Sequence, residues 1–336
     1  MENPKGGLMM KGFKSTGVTL VILGIIGGLF FGPSAVWAQK TVRLSIATGG
    51  TGGSYYPMGG AMANIISKNI PYAEATAEVT SASIDNCLLV GKGKADLAFM
   101  NADTAWDAVQ GMGKFKEKIP LRTLAVWSPS TMQIVTIEGK GIQKVSDLKG
   151  KRIATGAPGS NTEVMALRVI ETYGINPLKD VSRERLSISE SAGALKDRKI
   201  DAFFWVGGLP SAAVTDLAAT PGIKIKLLSH GDAVPKIREK FGPFYVAGVI
   251  PAKTYAGQET DVQACAVWNV VVCNANMKEP LAYDLIKTLF EHRQELLASH
   301  SDVKYFTLES QGGGGSPIPF HPGVIRYLKE KGIKVQ

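Results

Sequence analysis

The chain has 336 residues and a formal net charge of +9, a balance that favours contact with nucleic acid, membranes or small anions. Its Lys and Arg residues are spread along the chain without a run of five or more, and the sequence has no nucleic-acid-binding motif. A nucleic acid is therefore not an expected partner.

The first 38 residues have the three-part layout of a secretory signal peptide. Three lysines precede an uncharged apolar run over residues 18–31, and Val36-Trp37-Ala38 then offers the small residue that precedes a cleavage point. As a helix, the apolar run reaches only about 21 Å, whereas the hydrocarbon core of a bilayer measures about 30 Å. We expect cleavage after Ala38, a periplasmic location and a mature chain that does not span the membrane.

From residue 42 onwards, strand-like and helix-like segments alternate. Strands are predicted at 42–48, 77–80 and 96–100, and helices at 57–70, 83–91 and 103–110. The alternation then restarts, with strands at 151–155, 186–189 and 201–206 and helices at 162–173 and 192–197. Strands joined by helices predict a mainly parallel sheet covered on both faces, and thus an α/β fold.

Two extended stretches, 121–127 and 132–138, flank Ser128-Pro129-Ser130 and suit a crossing between two modules. A second extended region covers 244–274, helices at 280–299 and 323–331 follow it, and the Gly- and Pro-rich segment 311–319 is a predicted loop.

The size of the mature chain predicts two lobes. Removal of 38 of the 336 residues leaves 298, which is more than one core usually serves, so we expect two α/β lobes with a ligand cleft between them. Lobe 1 is predicted at 39–127 plus about 265–336 and lobe 2 at about 134–255, with hinge crossings near 127–134 and 250–268.

Three cysteines are present, Cys87, Cys265 and Cys273. Cys265 and Cys273 lie in one predicted strand, whose eight intervening steps separate them by about 26 Å, whereas a disulfide joins Cα atoms about 4.4–6.8 Å apart. Cys87 lies in a predicted helix and is expected to be a buried thiol, although a bond from it to one of the other two stays open.

The segment TGGTGGSYYPMGG, Thr48–Gly60, follows the first strand and opens the next helix. Glycines bring the backbone close, and Pro57 can occupy the first turn, so the free N–H groups of the helix start are aimed at an anion. Two sharper motifs fail, because Tyr55 stands where a P-loop needs Gly-Lys-Ser/Thr and where a dinucleotide fingerprint needs its third glycine.

Three more loops have the same composition of helix-capping residues. Ser81, Ser83 and Asn86 surround one helix start, Asn101 and Asp103 another, and residues 157–163 a third. Each alone is more often ordinary helix capping than a ligand contact. In open α/β sheets, however, such loops gather at the carboxyl ends of the strands, where ligands bind.

The sequence resembles the TAXI class of solute receptors for tripartite ATP-independent periplasmic (TRAP) transporters. The resembling segments are ATGGTGGSYYPMGGAMANII, TSASIDNCLLVGKGKADLAFMNADTAWDAVQG, VSDLKGKRIATGAPGSNTE, KIDAFFWVGGLPSAA and FHPGVIRYLKEKGI. The resemblance implies a periplasmic-binding-protein type II-like fold that closes on a small carboxylate, commonly glutamate, glutamine or a related dicarboxylate. It also implies a membrane permease driven by an ion gradient. We expect the receptor itself to be a monomer.

The resemblance also implies a set of ligand contacts drawn from both lobes. By position they are Thr51, Gly52, Gly53, Ser54, Tyr55, Ser81, Asn86, Asn101, Asp103, Trp127, Ser160, Asn161, Thr162 and Trp205. The family usually has Gly where Asn161 stands, and Tyr or Phe where Trp127 and Trp205 stand. These departures predict a ligand that differs from the family's commonest one.

No pattern of catalytic or metal-binding residues is present. The four histidines lack metal-ligand spacing, and neither a G-x-S-x-G elbow nor a Cys/His nucleophile pattern occurs. We expect no enzyme activity, metal or cofactor, and interpret His321 as structural. Two alternatives stay open, a periplasmic ligand-sensing adaptor for a membrane sensor kinase and an enzyme built on the binding-protein fold.

Overall fold

A computed structural model describes residues 41–242, 244–312 and 314–335. Its centre is a sheet of ten strands. The strands are Val42–Ala47 (β1), Ala73–Glu78 (β2), Leu97–Asn101 (β3), Leu121–Ile137 (β4), Arg152–Ala154 (β5), Ser182–Glu184 (β6), Ala202–Gly207 (β7), Ile225–Leu227 (β8), Tyr245–Ile250 (β9) and Val262–Asn274 (β10).

Helices connect the strands and follow the last of them. They are Tyr55–Asn69 (α1), Ser83–Gly91 (α2), Ala102–Gln110 (α3), Asn161–Thr172 (α4), Ile188–Lys196 (α5), Ala212–Ala218 (α6), Val234–Phe241 (α7), Glu279–Glu291 (α8), Arg293–Leu297 (α9), Leu308–Gly312 (α10) and Pro322–Glu330 (α11). Short 3-10 helices lie at Val145–Leu148, Gly231–Ala233 and Ser301–Tyr305. The predicted α/β class is confirmed.

The sheet is parallel at its two flanks and antiparallel at its centre. Its strand order is β2-β1-β3-β10-β4-β7-β5-β6, with β8 paired to β4 and β9 to β10. Strand β1 pairs in parallel with β2 and β3, and β5 with β6 and β7, whereas β4 and β10 pair with other strands only in antiparallel fashion among the described residues. The expectation of a mainly parallel sheet therefore holds for the flanks, where helices form the crossovers, and is wrong for the long central strands.

Strand β4 continues through Ser128-Pro129-Ser130, where the sequence predicts a break. Pro129 lies opposite Trp268, next to a register shift of the β4–β10 ladder between Trp268 and Val270. A proline, which has no N–H to donate, is tolerated within a sheet at such an irregularity. The two predicted extended stretches are therefore one strand.

The apolar core consists of three clusters. One is built from buried side chains between Leu44 and Trp127 and between Val270 and Leu328. The other two, apart from Ala102, are built from residues between Met132 and Val267. Along β4, the first cluster ends at residue 127 and the other two begin at residue 132. Along β10, the other two end at residue 267 and the first resumes at residue 270.

Several predicted boundaries are wrong. The strand expected at 186–189 lies earlier, as β6, because Ser187 is the N-cap of α5 and forms a capping box with Glu190. The long helix expected at 280–299 is divided at His292 into α8 and α9. The predicted loop at 311–319 begins inside α10.

All three cysteines are free and buried. The expectation that Cys265 and Cys273 do not form a disulfide is confirmed. Cys87 is also a buried thiol and forms no bond to either of them. The predicted signal peptide, residues 1–38, lies outside the described residues. Within the described ranges, no helix combines the length and the apolar character needed to cross a bilayer.

Candidate functional site

A cavity of about 320 Å³ lies at the carboxyl ends of the six strands β1, β2, β3, β5, β6 and β7. The wall residues come from the ends of these strands and from the segments that join them to the following helices. The lining residues are Gly49, Gly50, Thr51, Gly53, Ser54, Tyr55, Val79, Thr80, Ser81, Ala82, Ser83, Asn101, Ala157, Ser160, Asn161, Thr162, Ser187, Ile188, Ser189, Trp205, Val206 and Gly207. This is the position at which open α/β sheets bind ligands.

The loop between β1 and α1 forms one wall. Its Gly53 N–H donates to the Gly50 carbonyl (3.0 Å), and α1 begins at Tyr55 with Pro57 in its first turn. The first N–H groups of a helix have no partner within the helix, and the first of them in α1 belongs to Tyr55, which lines the cavity. Ser54 Oγ accepts the Gly208 N–H (3.3 Å), so this loop is tied to the loop that follows β7.

Two glycines of this loop allow a close approach of the opposite wall. A Cβ atom at Gly53 would lie 2.9 Å from the Trp205 ring, and one at Gly52 would lie 2.5 Å from Ser189 Oγ. The indole N–H of Trp205 donates to Ser211 Oγ (2.8 Å), which holds the ring in place. Gly52 therefore contacts the start of α5 and does not line the cavity.

The start of α4 supplies the facing wall. Ser160 is the N-cap, and its Oγ accepts the Glu163 N–H (3.2 Å), while Thr162 Oγ1 accepts the Val206 N–H (3.2 Å). Asn161 is only 2% exposed, and its Oδ1 accepts the hydroxyl of Thr104 (3.0 Å). Its Nδ2 is buried without a hydrogen-bond partner among the described residues.

The N–H groups at the start of α2 are bonded to another part of the protein. The N-cap of this helix is Ala82, with a φ of 70° and no side-chain cap, so the predicted capping by Ser81 or Ser83 is wrong. The Gly159 carbonyl accepts the N–H groups of Ile84 (3.1 Å) and Asp85 (3.4 Å). These donors therefore join two parts of the chain and are not free for a ligand.

A buried polar network lies beneath the cavity. Asn269 Oδ1 accepts hydrogen bonds from the Tyr55 hydroxyl (2.6 Å), Asn101 Nδ2 (2.8 Å) and Ser130 Oγ (2.9 Å). Burial, with a smaller contribution from the charge of Asp103, raises the pKa of Tyr55 far above its usual range, so this phenol is a neutral donor. Sequence reasoning missed Asn269, although it is a polar residue within the apolar run of β10.

Two polar residues proposed as contacts lie elsewhere. Asn86 is fully buried and its Nδ2 donates to the carbonyls of Thr48 (2.8 Å) and Phe99 (2.6 Å). Asp103 accepts the Tyr245 hydroxyl (2.6 Å) and pairs with Arg168 (3.4 Å). Neither side chain lines the cavity, because the protein satisfies both.

Trp127 is fully buried and belongs to the large apolar cluster. Its ring stacks on Phe306 with centroids 4.6 Å apart, and its indole nitrogen lies 3.0 Å from the sulfur of Met58. It does not line the cavity, whereas Trp205 does. His321 is the N-cap of α11 and contacts the Met277 carbonyl (2.9 Å), as its structural interpretation predicts.

A family comparison covers most of the chain. The model of the NMT1-like family matches residues 46–332, which include every residue that lines the cavity. The chain belongs to the NMT1-like family.

The solved structures similar to this NMT1-like protein include periplasmic binding proteins. The periplasmic aliphatic sulphonate-binding protein SsuA of Escherichia coli is 14% identical, with a TM-score of 0.45, and the match covers 86% of this chain and 90% of that one. The alkanesulfonate-binding protein SsuA of Xanthomonas axonopodis pv. citri, bound to MOPS, is 15% identical, with a TM-score of 0.46 and coverage of 87% and 85%. An ancestral arginine-binding protein bound to arginine is 13% identical, with a TM-score of 0.48 and coverage of 79% and 98%. These likenesses concern the overall fold alone.

The cavity of this NMT1-like protein combines hydrogen-bond donors with apolar surface. Free N–H groups at the starts of α1, α4 and α5 supply donors. Asn161, whose amide nitrogen is buried without a partner among the described residues, belongs to the same wall. Val79, Ile188 and Val206 supply apolar contacts. Such a wall can solvate a negative group at one end of a small molecule and cover its carbon skeleton.

Proposed function

We propose that this NMT1-like chain is a periplasmic solute receptor, not an enzyme, that captures a small carboxylate and delivers it to a TRAP-type permease. The observation that carries the proposal is the buried Asn161 amide, which has no partner in the described part of the chain and lies at the wall where three helix starts meet. An unpaired buried amide is costly, and a ligand acceptor would satisfy it.

The number of donors is sufficient for useful affinity. A hydrogen bond to a charged acceptor contributes about 1.5–3 kcal/mol. Four or five of them reach the roughly −8 kcal/mol of micromolar binding after ordering costs are subtracted. No arginine or lysine is needed in the cavity for this purpose.

The distribution of the core supports two lobes that close on the solute. The apolar clusters change over at residues 127–132 and 267–270, near the predicted hinge crossings. Contacts between the two predicted lobes include the Ser54–Gly208 and Gly159–Ile84 hydrogen bonds. Contacts of this kind can break and re-form more readily than an apolar core.

Calorimetric titration of the purified protein with amino acids and dicarboxylic acids tests the proposal. We expect saturable binding of at least one acid, with no conversion of the bound molecule detected by mass spectrometry. A complete screen without binding would refute the receptor role. Solute uptake into vesicles that carry the permease, driven by an ion gradient without ATP, tests the TRAP assignment separately.

A further inference from the structure

The cavity wall contains no charged side chain among the described residues that line it. Hydroxyl and amide groups, glycines and apolar side chains make up the whole wall. A bound molecule is therefore recognised by neutral donors and acceptors and by apolar contact.

Three carboxylates close in sequence to lining residues are already engaged within the protein. Glu163, next in sequence to Thr162, is 2% exposed and pairs with Arg185 (2.6 Å). Asp103 is held by Arg168 and the Tyr245 hydroxyl. Asp85 lies in the first turn of α2 and accepts the Ser81 N–H (3.5 Å). None of the three lines the cavity.

This cavity wall stabilises a bound anionic group and destabilises a bound cationic group. Free N–H groups at the starts of α1, α4 and α5 stabilise a negative group, and the positive ends of the same helix dipoles oppose a cation. An ammonium group has three donors and no acceptor capacity, and its burial without a negative partner is strongly unfavourable.

We infer that the solute is a carboxylate without an ammonium group, such as an aliphatic or oxo acid, and not an α-amino acid. The inference rests on the proposed function and narrows it, because the TAXI resemblance by itself also allows glutamate and glutamine. The Asn161 amide and the three helix starts bind the carboxylate, and Val79, Ile188 and Val206 contact the skeleton.

Matched pairs of ligands test the inference by calorimetry on protein that has been unfolded and refolded to remove bound solute. The pairs are glutarate and glutamate, succinate and aspartate, and 4-methylpentanoate and leucine. In every pair that binds, we expect the acid without the amino group to bind tighter by about tenfold or more. Equal or tighter binding of an amino acid overturns the inference and leaves the receptor role standing. Binding by neither series overturns both.

A pair of variants tests the physical cause. Ser189 is an exposed residue of the cavity wall in the first turn of α5, where an acidic side chain is compatible with the helix. Ser189→Asp should shift the preference towards glutamate relative to glutarate, and Ser189→Asn, which has the same shape without the charge, should not. If neither variant changes the preference, the absence of a carboxylate from the described cavity wall does not determine which of the two ligands binds better.

Discussion

Gly53, in the loop between β1 and α1, lies against the Trp205 ring. A Cβ atom there would be 2.9 Å from the ring, and the hydrogen bond to Ser211 restrains the indole. Overpacking of this kind costs about 1–3 kcal/mol. We therefore expect Gly53→Ala to lower both the free energy of unfolding and the solute affinity, measured by denaturant titration and calorimetry.

Gly60 provides a matched control for this substitution. It lies in α1, and a Cβ atom there would have no neighbour within 4 Å. Gly60→Ala should leave solute affinity unchanged and should not lower stability, since Ala has the higher helix propensity. If both alanine variants bind the solute like the parent protein, close contact between Gly53 and Trp205 has no part in binding.

Asn161 separates ligand binding from internal hydrogen bonding. Asn161→Ala removes the unpartnered amide together with the bond from Thr104. Thr104→Val keeps the amide and removes that bond, along with a longer one from the Thr104 hydroxyl to Asp103 Oδ1 (3.5 Å). Because a hydrogen bond to a charged acceptor contributes about 1.5–3 kcal/mol, we expect solute affinity to fall about tenfold or more in the first variant alone. Equal losses in both variants, measured by calorimetry, would assign the effect to the Thr104 bond.

At the scale of elements, β10 carries a polar residue into the molecular interior. Asn269 is fully buried, and three donors share its Oδ1 while its Nδ2 donates to Ser128 (3.2 Å). Each buried polar group left unsatisfied costs about 1–3 kcal/mol. Asn269→Leu should therefore lower the free energy of unfolding by about 3 kcal/mol or more, measured with denaturant.

Ser128→Ala is the control for that substitution, because it removes only one partner of Asn269. We expect a loss of about 1 kcal/mol from it. A comparable small loss in Asn269→Leu would mean that the donors of Tyr55, Asn101 and Ser130 find other acceptors. The network would then have no special part in holding the floor of the cavity.

The sequence is a good guide to elements whose signals are local. The helix predicted at 83–91 has the same bounds in the structure, and the glycine loop, Asn101 and the start of α4 meet at one cavity, where ligand-binding loops of α/β sheets are expected. The start of α5 was missed, although Ser187 and Glu190 have the spacing of a capping box.

Other features depend on tertiary contacts that no local pattern specifies. The α2 start is satisfied by the carbonyl of Gly159, more than 70 residues away, and Asn86 looks like a site residue until its three backbone carbonyls are known. The continuous β4 was missed because Pro129 is tolerated only through the register shift of its partner strand. Such pairings become visible only in the folded chain.

At the scale of the whole molecule, polar contacts join segments that are distant in sequence around the cavity. Arg168 of α4 pairs with Asp103 (3.4 Å) and Asp107 (3.1 Å) of α3. Ser301 Oγ donates to the Leu209 carbonyl (3.0 Å), next to the Ser54–Gly208 bond. A movement of the two predicted lobes relative to each other would therefore change the environment of charged groups as well as the shape of the cavity.

Asp302 is a buried carboxylate beside the segment that follows β7. Its side chain is 6% exposed, one oxygen packs against the α-carbon of Gly208, and that oxygen has no hydrogen-bond partner in the described ranges. The nearby His300 accepts the Asp302 N–H through Nδ1 (3.1 Å), and burial lowers the pKa of its imidazole. Burial raises the pKa of Asp302 to about 7, an effect that the Leu209 N–H and the charge of Lys304 reduce only in part.

A raised pKa in the folded state makes stability fall as pH rises. Unfolded Asp titrates near pH 3.9, so the folded protein alone holds the proton between about pH 4 and pH 7, and each pH unit in that window costs about 1.4 kcal/mol. Asp302→Asn, which mimics the protonated acid, removes this cost. Relative to the parent protein, we expect the variant to gain stability steadily across that window and to gain no more above it, measured by denaturant unfolding at a series of pH values. A constant difference would show that Asp302 titrates normally, because only a proton held in the folded state alone makes the difference depend on pH.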